Sequence, residues 1–88
     1  MVTAVVLIEA ETDKISQLAE EIVELPGTTE VFSVAGRYDL VAVVRVRENE
    51  ALAEVIGDQM RGLDGIVKTE TLIAFKVYSR EDIEGAFR

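Results

Sequence analysis

Aliphatic runs and amphipathic segments alternate along this chain and predict strands separated by helices. The run at residues 3–8 is apolar, rich in β-branched residues and without polar alternation, which is typical of a central strand covered on both faces. Similar runs predict strands at residues 31–35, 40–46 and 68–78. The pattern therefore supplies four strands for one sheet.

The first amphipathic segment lies between the first two predicted strands. It begins near Thr12 or Asp13, either of which can cap a helix, and it ends at Leu25-Pro26-Gly27, where proline and glycine disfavour further helical turns. The apolar residues of this helix share one face and are Ile15, Leu18, Ala19, Ile22 and Val23. This spacing predicts a helix that packs on the sheet.

A second helix is predicted to begin at Asn49, which is a suitable cap. Its apolar side consists of Leu52, Val55, Ile56 and Met60. Gly57 inside this helix costs about 1 kcal/mol relative to alanine, so we expect it to pack closely against a strand. A short terminal helix is predicted to begin at Ser79, with Ile83 and Phe87 on one face.

The order β-α-β-β-α-β predicts a ferredoxin-like α+β sandwich over residues 1–88. In this fold a four-stranded antiparallel sheet carries both helices on one face, and the short C-terminal helix follows. The third strand is apolar on both faces, with Val41 and Val43 on one and Leu40, Ala42 and Val44 on the other. Because helices cover only one face, we predict a sheet-to-sheet dimer or a higher symmetric oligomer.

The connection between the second and third strands is short and polar. Its sequence, Gly36-Arg37-Tyr38-Asp39, predicts a tight β-hairpin in which Gly36 adopts a positive φ angle and Asp39 accepts hydrogen bonds from N–H groups of the turn. A cation, a phenol and a carboxylate would then lie close together and could bind a ligand. The simpler interpretation is an ordinary turn with a solvated arginine and a tyrosine at an interface.

Composition and charge exclude several classes of function. The chain has no cysteine and no histidine, which excludes disulfides, thiol nucleophiles and imidazole bases, so we expect no metal and no cofactor. The net charge of −8 argues against direct nucleic-acid binding. No apolar run approaches a membrane span and residues 1–4 lack a basic start, so we expect a cytoplasmic protein without membrane contact.

The hairpin and the last strand together carry a family resemblance. Gly36-x-Tyr38-Asp39 is followed by Thr69-x-Thr71 at the start of the last strand. This combination resembles the effector-binding domain of the leucine-responsive regulator/asparagine-synthetase activator family, also called the RAM domain, for regulation of amino acid metabolism. The resemblance covers essentially the whole chain. Family members usually carry an N-terminal helix-turn-helix domain, and this sequence is similar to the stand-alone form of the module.

The resemblance implies a non-enzymatic module that binds an amino acid or a related metabolite where dimers meet. Members of the family dimerise through their sheets, and dimers commonly join in rings of four, which gives an octamer. One wall of the pocket would consist of Gly36, Arg37, Tyr38, Asp39 and Leu40, and the other of Thr69 and Thr71 from the same or a neighbouring subunit. Ligand-dependent assembly would then regulate amino acid metabolism or transcription, with full-length family regulators as partners.

Two other classes of protein share this order of elements. An ACT-type regulatory module would bind its amino acid at a loop after the first strand, but residues 9–13 contain no glycine. A small dimeric α+β barrel enzyme of the monooxygenase type would need titratable groups between the sheet and the helices. Asp39, Glu70, Tyr38 and Tyr78 are the candidates for acid–base work, and none has a partner at catalytic spacing in the sequence.

Overall fold

The computed structural model describes residues 1–80, which form a four-stranded antiparallel sheet with helical segments on one face. The strands are β1 (Val2–Ala10), β2 (Thr28–Ser33), β3 (Leu40–Val46) and β4 (Ile66–Ile73). The helical segments are a 3-10 turn (Thr12–Lys14), α1 (Ile15–Val23), α2 (Asn49–Leu52) and a π-helix (Ala53–Met60). The predicted ferredoxin-like α+β fold is confirmed. The predicted terminal helix with Ile83 and Phe87 lies outside the described residues.

The strand order is β2-β3-β1-β4, so β1 lies inside the sheet and β4 is an edge strand. Val6 of β1 pairs with Ala42 of β3 and with Thr71 of β4. Directly opposed residues of antiparallel strands project from the same face, and these three lie on the helix-covered face. Their sequence neighbours project from the other face, called the open face below.

The core lies between the helix-covered face and the helices. Ile8 of β1, Leu40 of β3, Leu18 and Ile22 of α1, and Met60 of the π-helix are all fully buried there. Leu18 and Ile22 are one helical turn apart, which is why both reach the sheet. Alternate residues of β1 are buried, as expected for a strand with one face on a core. The helix-covered faces of β1 and β3 are thus buried by helices of the same chain.

The predicted strand ends are only partly confirmed. β3 has the predicted bounds, whereas β1 is longer and β2 is displaced toward the N-terminus. The prediction that the last strand continues to Tyr78 is wrong, because β4 ends at Ile73. The Ala74 N–H still donates to the Thr3 carbonyl at 2.8 Å. Because β1 begins at Val2, it has no residues left to pair with the chain beyond residue 75.

The predicted N-terminal caps of the first two helices are wrong. Glu11 precedes the 3-10 turn and Glu48 precedes α2, and neither side chain makes a capping hydrogen bond. Thr12 and Asn49 lie inside the first turns instead. Near the start of the first helix, the Lys14 ammonium forms ion pairs with the carboxylates of Asp64 and Glu11. These ion pairs link the start of the first helix to Asp64, but an ammonium is only a donor, so they do not replace a cap.

The predicted packing of Gly57 against a strand is also wrong. The second helix changes to π geometry at Ala53, and Val55, Ile56 and Met60 form its buried side. Gly57 is exposed, and a Cβ atom at this position would meet no atom within 4 Å. The glycine therefore opens space beside the helix and does not allow a close backbone approach.

Candidate functional site

The β2–β3 hairpin is wider than predicted. Strand pairing ends at the pair Ser33 and Leu40, which leaves residues 34–39 in the connection. The Val34 N–H donates to the Asp39 carbonyl at 3.0 Å and closes this loop. Gly36 has a φ angle of 138°, a conformation that favours glycine, so the predicted positive φ is confirmed.

Asp39 joins the hairpin to the central strand. Its Oδ2 atom accepts a hydrogen bond from the Ala10 N–H at 2.8 Å, and its own N–H donates to the Ile8 carbonyl at 2.9 Å. The predicted bonds from its carboxylate to the N–H groups of the turn are replaced by this bond to β1. Asp39 is half-buried, and one carboxylate oxygen already has a structural partner. The hairpin is thereby held in a fixed position over the end of β1.

Tyr38 joins the hairpin to the edge strand. Its hydroxyl donates to Glu70 Oε1 at 2.8 Å, a contact that sequence reasoning missed. This hydrogen bond is the main cause that raises the pKa of the Tyr38 phenol, and burial and the negative charge of Glu70 act in the same direction. The alternation along β4 was a usable signal, because Glu70 lies between the two threonines and must project from the opposite face.

We predict that the Tyr38–Glu70 bond makes stability depend on alkaline pH. The pKa of Tyr38 is raised in the folded state, so the stabilisation from this hydrogen bond is present below the usual tyrosine pKa of about 10. This stabilisation is lost as the pH rises through the higher pKa of the folded state. Urea unfolding of wild type and Tyr38→Phe should therefore differ at pH 8, with the wild type more stable, and converge at higher pH. A difference that persisted unchanged to pH 12 would contradict this assignment.

The residues predicted to bind a ligand fall into three places. Thr69 and Thr71 pair with Ile8 and Val6, so they project from the helix-covered side of β4, whereas Tyr38 reaches Glu70 on the open face. Leu40 is fully buried in the core, which leaves only its backbone available to a ligand. Gly36 and Arg37 are exposed at the tip of the hairpin. Within one chain, the hairpin tip and the two threonines do not face each other.

A groove runs between β4 and the π-helix. One part has a volume of about 560 Å³ and is lined by Ile56, Gly57, Arg61, Ile66, Val67, Lys68, Thr69 and Thr71. An adjoining part of about 420 Å³ is lined by Asn49, Leu52, Ala53, Ile56, Gly57, Thr71 and Ile73. Both volumes are in the range of small-molecule sites. The two predicted threonines therefore line a groove large enough for a small ligand. We call it the β4 groove.

The β4 groove is polar at one end and apolar at the other. Arg61 lines it with a cation, although the chain carries a net charge of −8. Lys68 also borders it, but Lys68 is paired with Glu9 and therefore projects its side chain from the open face. The adjoining part is lined mainly by aliphatic groups, including Leu52 and Ile73. Sequence reasoning missed Arg61, although this residue follows Gly57 by one helical turn. This arrangement suits an anionic group attached to an apolar one.

The described part of the chain gives no sign of a metal site or a membrane span. Residues 1–80 contain no group of three or more histidine, cysteine, aspartate or glutamate side chains placed to hold a metal ion. Over the same residues, no helix is long and apolar enough to cross a membrane.

Comparison with protein families identifies the class of protein. Residues 3–83 match the family described as the Lrp/AsnC ligand binding domain, so this chain belongs to that family. The predicted resemblance to the RAM domain is thereby confirmed. The family is defined by a ligand-binding domain of transcriptional regulators and not by an enzymatic reaction.

Individual relatives agree with this assignment. The uncharacterized HTH-type transcriptional regulator PYRAB16920 of Pyrococcus abyssi is 33% identical over 82 residues, which cover 90% of this chain and 55% of that protein. The chain thus spans about half the length of the curated relatives it matches. The crystal structure of TTHA0845 from Thermus thermophilus is 46% identical and has a TM-score of 0.85, covering 91% of this chain and all of that one. Escherichia coli AsnC is 25% identical with a TM-score of 0.80, covering 86% of this chain and 52% of that chain.

Proposed function

We propose that this domain binds an amino acid or a related small metabolite at interfaces between its own subunits, and that binding changes its assembly. The observation that carries the proposal is the β4 groove, whose lining includes the guanidinium donors of Arg61 in a chain of net charge −8. An amino acid offers a carboxylate to such donors and can place a side chain in the apolar part. The described ligand-binding function of the family supports the same conclusion.

The open face supports assembly through the sheet. Val5, Leu7, Val41 and Val43 occupy its centre, and Phe32 and Leu72 flank them with exposed fractions of 47% and 49%. A second copy would cover this apolar surface with the same residues, as a two-fold dimer requires. We propose that such dimers then join into a larger ring, with an octamer as the expected size.

The ligand site would be built from two subunits. Tyr38 and the pair Thr69 and Thr71 lie on opposite faces of β4 in one chain, so a hairpin from a neighbouring subunit is the simplest way to face the threonines. Asp39 keeps one carboxylate oxygen on Ala10 and could accept the ligand ammonium with the other. Arg37 and the hairpin N–H groups remain candidate donors to the carboxylate, together with Arg61 of the β4 groove.

Such a site acts by population shift. A ligand held between dimers favours the assembly to which it binds more tightly, by no more than the difference in affinity. The domain would therefore work without catalysis and without a cofactor. Its partners would be copies of itself and full-length regulators of the same family, while the net charge of −8 disfavours direct contact with nucleic acid.

We predict that two substitutions at Asp39 separate binding from folding. Asp39→Asn keeps an oxygen that can accept the Ala10 N–H but removes the charge, so amino-acid affinity should fall about tenfold or more at nearly unchanged stability. Asp39→Ala also leaves the Ala10 N–H without its acceptor, which should cost about 1–3 kcal/mol of unfolding free energy. Calorimetric titration and urea unfolding measure the two effects.

The Asn variant decides whether Asp39 belongs to the site. Affinity equal to wild type in Asp39→Asn would remove this residue from the binding site, whatever the Ala variant does. The mass of wild type, measured by light scattering with and without the bound amino acid, tests the coupling to assembly. A mass that stayed constant at saturation would contradict ligand-dependent assembly while leaving binding intact.

A further inference from the structure

Gly57 occupies a position where neither the backbone nor the packing requires glycine. Its φ angle is not positive, since the positive-φ glycines among the described residues are Gly27, Gly36 and Gly65. A Cβ atom at Gly57 would meet no atom within 4 Å. Glycine inside a helix destabilises it by about 1 kcal/mol relative to alanine. Neither the backbone conformation nor the packing at Gly57 explains why this destabilisation is tolerated. The π geometry of this segment is itself frequent at functional sites.

The position of Gly57 in the β4 groove suggests what the missing side chain provides. Gly57 lines both the polar part, with Arg61 and Thr69, and the apolar part, with Leu52 and Ile73. A larger residue here would fill the passage between the two parts. The opposite wall is β4, an edge strand whose outer backbone groups are unpaired within the described chain and can bind polar ligand atoms.

We propose that Gly57 determines the size of the ligand side chain that the domain accepts. The ligand carboxylate would lie near Arg61, and its aliphatic side chain would run past Gly57 toward Leu52 and Ile73. The ligand class is therefore an amino acid with an extended apolar side chain, and not one with a second carboxylate. This inference rests on the proposed function, because it concerns the selectivity of the same site.

A graded series at Gly57 tests the inference. Wild type, Gly57→Ala and Gly57→Leu are titrated calorimetrically with L-alanine, L-valine, L-leucine and L-methionine. We expect wild type to bind L-leucine or L-methionine more tightly than L-alanine. Gly57→Leu should weaken the larger ligands by about tenfold or more and L-alanine by less than about threefold, which reverses or abolishes the preference. Gly57→Ala should lie between them.

Folding is controlled within the same series. Gly57→Ala is expected to be at least as stable as wild type in thermal unfolding. Alanine has a higher helix propensity than glycine, and its Cβ atom would project into open space. Asp58→Leu is the matched control, since this neighbouring residue is exposed and does not line the groove, and it should keep the wild-type order of affinities.

The outcomes separate this inference from the function on which it rests. Binding by wild type with an unchanged order of affinities in Gly57→Ala and Gly57→Leu overturns the role of Gly57 and leaves the effector-binding function standing. An equal loss for all four ligands in Gly57→Leu also overturns size selection. A folded wild type that binds none of the twenty amino acids overturns the proposed function, and the inference falls with it.

Discussion

Replacing Leu40 by alanine is expected to lower the free energy of unfolding by about 2–5 kcal/mol. Leu40 is fully buried between the sheet and the helices, and the truncation would leave a cavity beside Ile8, to which it is paired. The effect is large for a domain of 88 residues, because the total stability of such domains is about 5–15 kcal/mol. Urea unfolding measures it directly.

Leu40→Met serves as the control for this substitution. It conserves volume and should cost less than about 1.5 kcal/mol. The comparison also separates packing from recognition, since Leu40 was predicted to be a wall of the ligand pocket. A Leu40→Ala variant with wild-type stability and strongly reduced amino-acid affinity would contradict the core position and favour direct ligand contact.

Replacing Val5 by lysine is expected to convert the assembly to monomers at micromolar concentration. Val5 lies at the centre of the open face, directly opposite Val43 on one side and Leu72 on the other. In a sheet-to-sheet dimer its ammonium would be buried without a partner, a situation that costs about 3–5 kcal/mol and weakens association by about two orders of magnitude or more. Light scattering across a concentration series measures the change.

Ser16→Lys is the matched control for added charge. Ser16 is exposed on α1, away from the open face, so its substitution should leave the mass unchanged. Val5 projects away from the core, so Val5→Lys is expected to remain folded. Circular dichroism would test this. If Val5→Lys kept the wild-type mass, the open face would not be the dimer interface.

The sequence pattern predicted the architecture because the architecture depends on which residues are buried, and burial follows the periods of helices and strands. The apolar, β-branched runs of β1 and β3 indicated the inner strands, and the one-turn spacing of Leu18 and Ile22 indicated the helix face that packs on them. The starts of the first two helices were predicted poorly because Glu11 and Glu48 precede them without a capping hydrogen bond, so the cap preference on which the prediction depended is not used there. The last strand was predicted too long because the end of β4 depends on where its partner β1 begins.

The candidate site was harder to predict for the same reason. The two groups of site residues were recognised as motifs, but local sequence could not reveal that Tyr38 reaches Glu70 while Thr69 and Thr71 face the π-helix. Arg61 had no motif to mark it, since its role depends on a groove between two separated elements. The space at Gly57 was misread as close packing because a helical glycine serves either purpose.

Calorimetric titration of the purified chain with each of the twenty amino acids tests the central claim most directly. The account predicts saturable heat with at least one of them, and a preference for an extended apolar side chain over a second carboxylate. The Asp39→Asn variant should weaken the same signal. A folded chain that gives no saturable heat with any amino acid would contradict the account.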